Sequence, residues 1–223
     1  IITGKENEQI IRAFMNGKIL RNNLSGKCDS IHFSQLTGIA QMINKQNSFN
    51  ERSRKIKKPI LWSNKSQITG DSIHIKFDTD KNIIDSLFVF DNAFIIEKDT
   101  LEIGFNQISG KRLNGNFIDG KLKEVDIIKN AESVYYLRNS ENELIGIDKS
   151  KSAKIKILIS EQNIDTFTKI NQIDGNVYPE DEFNENDKLL KGFFFREDEI
   201  IKTIDDLFIE DKKFQFTKIK KLE

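Results

Sequence analysis

The stretch Gly70-Asp71-Ser72-Ile73-His74-Ile75-Lys76-Phe77 opens with a Gly-Asp turn and then alternates apolar and polar residues. Alternation at period two puts Ile73, Ile75 and Phe77 on one face of a strand and Ser72, His74 and Lys76 on the other, which predicts a half-buried β-strand. The same strand recurs. Asp29-Ser30-Ile31-His32-Phe33 repeats it almost letter for letter, and Gly110-Lys111-Arg112-Leu113 and Ala153-Lys154-Ile155-Lys156-Ile157 are weaker copies. With Ile31, Ile73, Leu113 and Ile155 taken as equivalent, the copies lie 42, 40 and 42 residues apart. Such a period predicts a repeat architecture, in which one unit cannot bury its apolar face alone and stacks on its neighbours.

A second column runs in step with the first. Small residues follow a polar residue at Asn16-Gly17, Asn92-Ala93 and Asn130-Ala131, and Pro59 and Gly175 are read as two more copies of the column. Asn16-Gly17 alone would suit a hairpin turn, but the later copies place it inside a strand. Turns are expected at Asp78 to Asn82, Asp119-Gly120 and Ser160 to Asn163, each followed by renewed alternation, so the units are hairpins. Leu101, Ile103 and Phe105 read as an extra short strand. Between Asn44 and Lys58 the pattern lapses into polar residues and the basic group Arg52, Arg54, Lys55, Lys57 and Lys58, which reads as a solvated loop.

The alternation stops after Pro179, which divides the chain into a β-domain over 1–179 and a tail over 180–223. Glu180 to Asp187 is acidic and turn-like, and Gly192-Phe193-Phe194-Phe195 is an apolar cluster. Ile200, Ile201, Ile204, Leu207 and Phe208 fall at near-helical spacing, which predicts a short amphipathic helix over Asp198 to Phe208. Lys212 to Glu223 reads as a strand or a disordered end. The tail is expected to cap one end of the stack, as repeat arrays require.

Composition removes several function classes. The 223 residues carry 35 basic and 35 acidic side chains, so no overall field draws the protein to nucleic acid or to an anionic bilayer. No run of about 18 apolar residues occurs, which argues against a membrane-spanning helix. Residues 1–9 lack the features of a secretion signal. Since the chain starts with Ile1 and enters a strand pattern almost at once, it is expected to be a piece of a longer protein, so that lack says little about compartment.

Chemistry-bearing residues are few. Cys28 is the single cysteine, which leaves no internal disulfide and reads as a packing residue at a strand start. His32 and His74 sit at equivalent places in adjacent repeats, but no third ligand recurs with them, so an exposed histidine ladder is expected and no metal site. Asp29 and Asp71 sit where turn chemistry favours aspartate. Ser30 and Ser72 lack a nucleophile-elbow context, and neither a phosphate loop nor a dinucleotide fingerprint occurs. No catalytic residue, metal ligand or cofactor is assigned.

What remains is the apolar stripe. Ile31, Phe33, Ile73, Ile75, Phe77, Leu87, Val89, Val125, Ile127, Ile155, Ile157 and Ile159 would point inward if the sheets fold over one another. Spacing favours a closed core over a lipid-holding groove, since repeats need a core in any case, and periodicity does not separate the two.

Several stretches in order carry a family resemblance: Gly26-Lys27-Cys28-Asp29-Ser30-Ile31, Pro59-Ile60-Leu61-Trp62-Ser63, Gln67-Ile68-Thr69-Gly70-Asp71-Ser72-Ile73, Asp91-Asn92-Ala93-Phe94-Ile95-Ile96, Phe105-Asn106-Gln107-Ile108-Ser109-Gly110, Leu144-Ile145-Gly146-Ile147-Asp148 and Val177-Tyr178-Pro179. Over roughly Gly4 to Phe195 the chain resembles the OstA-like proteins related to LptA, the periplasmic lipopolysaccharide-transport family, in its branch of larger members where such repeats continue upstream. The resemblance implies an all-β, repeat-built open β-jelly roll of antiparallel strands, folded like a taco around an apolar interior. It further implies a non-enzymatic scaffold in the periplasm of a Gram-negative cell. The groove would shield the acyl chains of lipopolysaccharide, with the twelve inward residues as lining and no cofactor. Its partners would be LptC-like and LptD-like jelly rolls or further copies of itself, joined by edge-strand pairing. The resemblance raises the groove reading above the closed core. A closed-core β-solenoid of structural or adhesin-like type is the alternative, and a carbohydrate-active enzyme ranks last because the chain has one Trp and dispersed carboxylates.

Overall fold

A computed structural model describes residues 1–6, 8–21, 24–44, 58–63, 65–101, 103–160 and 163–209. Among the described residues the alternating segments form thirteen strands: β1 (Ile2–Thr3), β2 (Ile10–Arg21), β3 (Leu24–Ser34), β4 (Ile39–Ile43), β5 (Ile60–Ser63), β6 (Ser66–Thr69), β7 (Ser72–Asp78), β8 (Ile83–Lys98), β9 (Phe105–Ile118), β10 (Lys121–Arg138), β11 (Leu144–Ser160), β12 (Asn163–Ile170) and β13 (Asp174–Tyr178). All belong to one antiparallel sheet whose path runs β1-β2-β3-β4-β7-β8-β9-β10-β11-β12. β3 pairs with β4 over one half and with β5 over the other, β8 does the same with β7 and β6, and β11 with β12 and β13.

Each long strand therefore crosses two layers, and the crease between them has a local cause. Consecutive residues adopt left-handed φ at Met15 and Asn16 (59° and 78°), Asp91 and Asn92 (53° and 51°), Lys129 and Asn130 (66° and 50°), and Asn171 and Gln172 (59° and 50°). Asn and Asp tolerate that region better than other side-chain-bearing residues. The pairing register shifts at the first three of these pairs, as at a β-bulge, so the strand bends sharply there without leaving the sheet. The polar-then-small column of the sequence is this crease. Its last copy sits at Asn171-Gln172 followed by Ile173, in place of the expected Gly175. The result is an open β-jelly roll in which one sheet folds over on itself.

Small residues follow the crease because the layers meet there. A methyl group added at Gly110 would lie 2.5 Å from Ile127 Cγ2, and one at Gly70 would lie 2.1 Å from Val89 Cγ1. Gly110→Val is therefore expected to lower stability by about 1–3 kcal/mol through overpacking. A shift of the urea midpoint at unchanged slope reads this out.

The first layer holds the expected column in register. Ile31, Met42, Ile73, Val89, Leu113, Ile127 and Ile155 are successive cross-strand neighbours, so the four residues that defined the forty-residue period share one row. Beside it run Phe33, Ala40, Ile75, Leu87, Gly115, Val125, Ile157 and Phe167.

Three local expectations change. Leu101 and Ile103 are exposed in the β8–β9 turn and form no strand, because Asp99 accepts the Leu101 backbone N–H and tightens that turn. Residues 198–208 form no α-helix: 3-10 turns occupy Glu197–Glu199 and Asp205–Leu207, and between them the chain is extended at Ile200 and bends at Thr203. Residues 179–209 form a strap along the outer face of the second layer, in contact with strands from β11 back to β2, whereas an end cap was expected. The basic Arg52 to Lys57 group and the stretch Lys212 to Glu223 lie outside the described residues.

Two buried glutamines hold the strap. Gln107 accepts from Leu190 N at 2.8 Å and donates to Lys188 O at 2.7 Å. Gln67 accepts from Arg196 N and donates to Phe194 O, both at 2.7 Å. Each amide thus offers the strap the donor and acceptor that a neighbouring strand would supply. Along the strap Phe183, Leu190, Phe193 and Phe195 pack against Phe94, Ile96, Phe105, Val134, Tyr136 and Ile147. Gln107→Ala leaves a backbone N–H and a C=O unpaired under the strap, at a cost of about 1–3 kcal/mol. Limited proteolysis is expected to cut the strap faster in this variant while the strand circular dichroism persists.

Candidate functional site

The candidate site is the interior between the layers. Of the twelve residues expected to point inward, Ile31, Ile73, Ile75, Leu87, Val89, Val125, Ile127, Ile155 and Ile157 are buried in a single cluster, and Phe33, Phe77 and Ile159 pack against it half-buried. The second layer contributes Leu24, Cys28, Leu61, Ile68, Ala93, Ile108 and Ala131 to the same cluster.

The layers differ in depth of apolar lining. In the first, apolar side chains continue to the strand ends farthest from the crease, where Phe33, Phe77, Ile84, Phe117, Leu122 and Ile159 form a half-exposed rim. In the second, the row nearest the strand ends is polar: Ser63, Ser66, Glu97 and Asn106 are cross-strand neighbours there. The mouth therefore sets an apolar lip against a polar one. At the first-strand end it is bridged: Arg21, the last residue of β2, donates to the Asn82 carbonyl and, at 3.0 Å, to its Oδ1, and stacks 4.9 Å from the Phe77 ring centre.

A second missed feature lies among the strands of the other end. Asp148, on β11, accepts from Lys169 Nζ of β12 at 2.6 Å and from Ser150 Oγ at 3.0 Å, and Ser133 Oγ lies 3.0 Å from Ser150 Oγ. Ser133, Asp148 and Ser150 are buried. Their register shows that they face inward, since Ser133 pairs with the core residue Ile108 and Lys169 with Ile155. Only an alternation broken by serines at Ser133, Ser150 and Ser152 hinted at this in the sequence.

The remaining reactive side chains are quiet. Burial pushes the Cys28 thiol up to about 12, so it stays protonated and is expected to resist alkylation in the native state. His32 and His74 are half-buried on the outer face of the first layer with Gln41 paired between them, so they form no exposed ladder. Burial lowers the His74 pKa by disfavouring the charged ring. Among the described residues no three His, Cys, Asp or Glu side chains come together as a metal site would need.

No family model matches the chain, and no curated protein matches it by sequence. Among solved structures the chain is similar to LptH, the LptA-homologous periplasmic component of the conserved lipopolysaccharide transport device from Pseudomonas aeruginosa. The likeness has a TM-score of 0.48 at 13% identity and covers 70% of this chain and 95% of LptH. No helix among the described residues is long and apolar enough to cross a membrane.

Proposed function

We propose that the protein is a non-enzymatic scaffold that holds lipid acyl chains between its two layers, and that its cargo is lipopolysaccharide carried across the periplasm. One observation carries this reading: the apolar rows of the first layer run out to a half-exposed rim facing a polar lip. A core serving stability alone gains little from apolar side chains left half in water. An amphiphile lying in the mouth would cover them, gaining about 25 cal/mol for each Å² of apolar surface removed from water, while its polar part meets the serines and Glu97. The ordered motifs by which the sequence resembles the OstA-like proteins support the cargo assignment.

In this reading, neighbouring jelly rolls join at the two ends of the stack. Among the described residues β12 and β13 each pair only with β11, and β1 only with β2, so both ends present unpaired strand edges suited to β-augmentation. Partners would be other jelly rolls of the transport bridge or further copies of this chain.

The test is site-specific photocrosslinking to purified lipopolysaccharide, with benzoylphenylalanine replacing Phe77 at the rim and, as control, the outward Lys76. Labelling at Phe77 and not at Lys76 is expected. If neither position labels in folded protein, the interior is a packed core and the protein a structural scaffold.

A further inference from the structure

The two inner rows change character along the stack. In the second layer the cross-strand row reads Ile19, Gly26, Leu61, Ile68, Ile95 and Ile108 over β2 to β9, then Ser133, Ser150 and Gly175 over β10, β11 and β13. In the first layer the corresponding row stays apolar as far as Ile155 and ends at Lys169. The Lys169–Asp148 ion pair then ties the layers together across the interior, at 2.6 Å, with the Asp148 side chain 9% exposed and that of Lys169 21% exposed.

We infer that the Ser133-Ser150-Asp148-Lys169 cluster is a polar stop that ends the acyl-holding part of the interior, so that cargo occupies the β2–β9 side and does not pass out beneath β12 and β13. This rests on the lipid-holding reading above. An acyl chain advancing between the layers must part Lys169 from Asp148, and methylene groups offer neither partner a hydrogen bond. Parting a largely buried ion pair without replacement is among the costlier changes a protein interior can make. Beside the cluster, Tyr135 and Phe167 close the space toward the mouth, their rings 5.4 Å apart. A neighbouring jelly roll stacked on β12 and β13 would then receive cargo around the mouth and not along one continuous trough.

The experiment uses the full chain and purified lipopolysaccharide, with benzoylphenylalanine placed in turn at Phe77 and at Phe167, and again in an Asp148→Leu/Lys169→Met background. In the unaltered background, Phe77 is expected to label at least about tenfold more than Phe167, a preference near 1.4 kcal/mol. The apolar pair is expected to raise labelling at Phe167 toward that at Phe77. Equal labelling at both positions in the unaltered protein overturns the stop. So does a folded apolar variant in which Phe167 stays dark while Phe77 labels. Loss of labelling at Phe77 in the unaltered protein is a different failure, that of lipid holding itself. The unaltered comparison decides the point even where the double variant does not fold.

Discussion

Arg138→Met is expected to destabilise the protein by about 3–5 kcal/mol, the cost of stranding a buried charge. Its guanidinium grips Asp99 through two hydrogen bonds, Nε to Oδ1 at 2.8 Å and Nη2 to Oδ2 at 2.6 Å, and the Asp99 side chain is 1% exposed. Burial on its own would raise the Asp99 pKa, but the bonds from Arg138 and from the Leu101 backbone outweigh it and hold the carboxyl below its ordinary value. A depressed carboxyl contributes stability in full above its unfolded pKa, near 3.9, and loses it as pH falls through the lower folded value. In the variant the unpaired, buried carboxyl is relieved by protonation instead. The gap between the two proteins is therefore expected to be largest near neutrality and to narrow as pH falls through about 4. Urea denaturation at pH 7 and pH 3 checks this, and a gap that widens in acid contradicts the assignment.

Ile127→Ala carries the second large effect. Ile127 has no exposed surface and sits where the Gly110 backbone meets the first layer. Truncating it removes apolar contact and leaves a cavity that the crease on one side and paired strands on the other prevent from collapsing, for an expected loss of about 2–5 kcal/mol. Ile118→Ala, at a residue 55% exposed, is expected to stay within about 0.5 kcal/mol. Equal losses at the two positions would mean that Ile127 is not packed as described.

The first layer was legible because both of its signals are local. Ile31, Ile73, Leu113 and Ile155 fell into one row since period-two alternation sets the face and the turns set the register. The crease was legible as a column but not as a bend, because left-handed φ at Asp91 or Lys129 leaves no mark of its own on the sequence. The strap was misread for a physical reason. Ile200, Ile201 and Ile204 recur at helical spacing, yet the backbone partners that decide the strap's path are Gln67 and Gln107, more than eighty residues away. The polar stop escaped for the same reason: Lys169 looks like a solvated strand residue until Asp148 is placed opposite it.

The crease also governs how this protein can be altered. β4 ends at Ile43 and β5 begins at Ile60, on opposite sides of the fold line, yet both stay paired with β3. Sequence added between them costs neither layer a rung, whereas one residue added within a row would turn every following side chain inside out. The bends at Asp91-Asn92 and Lys129-Asn130 occupy the same line but lie inside the continuous strands β8 and β10, so along the fold line it is the β4–β5 connection, and not those bends, that can take a tag, a spacer or a whole module.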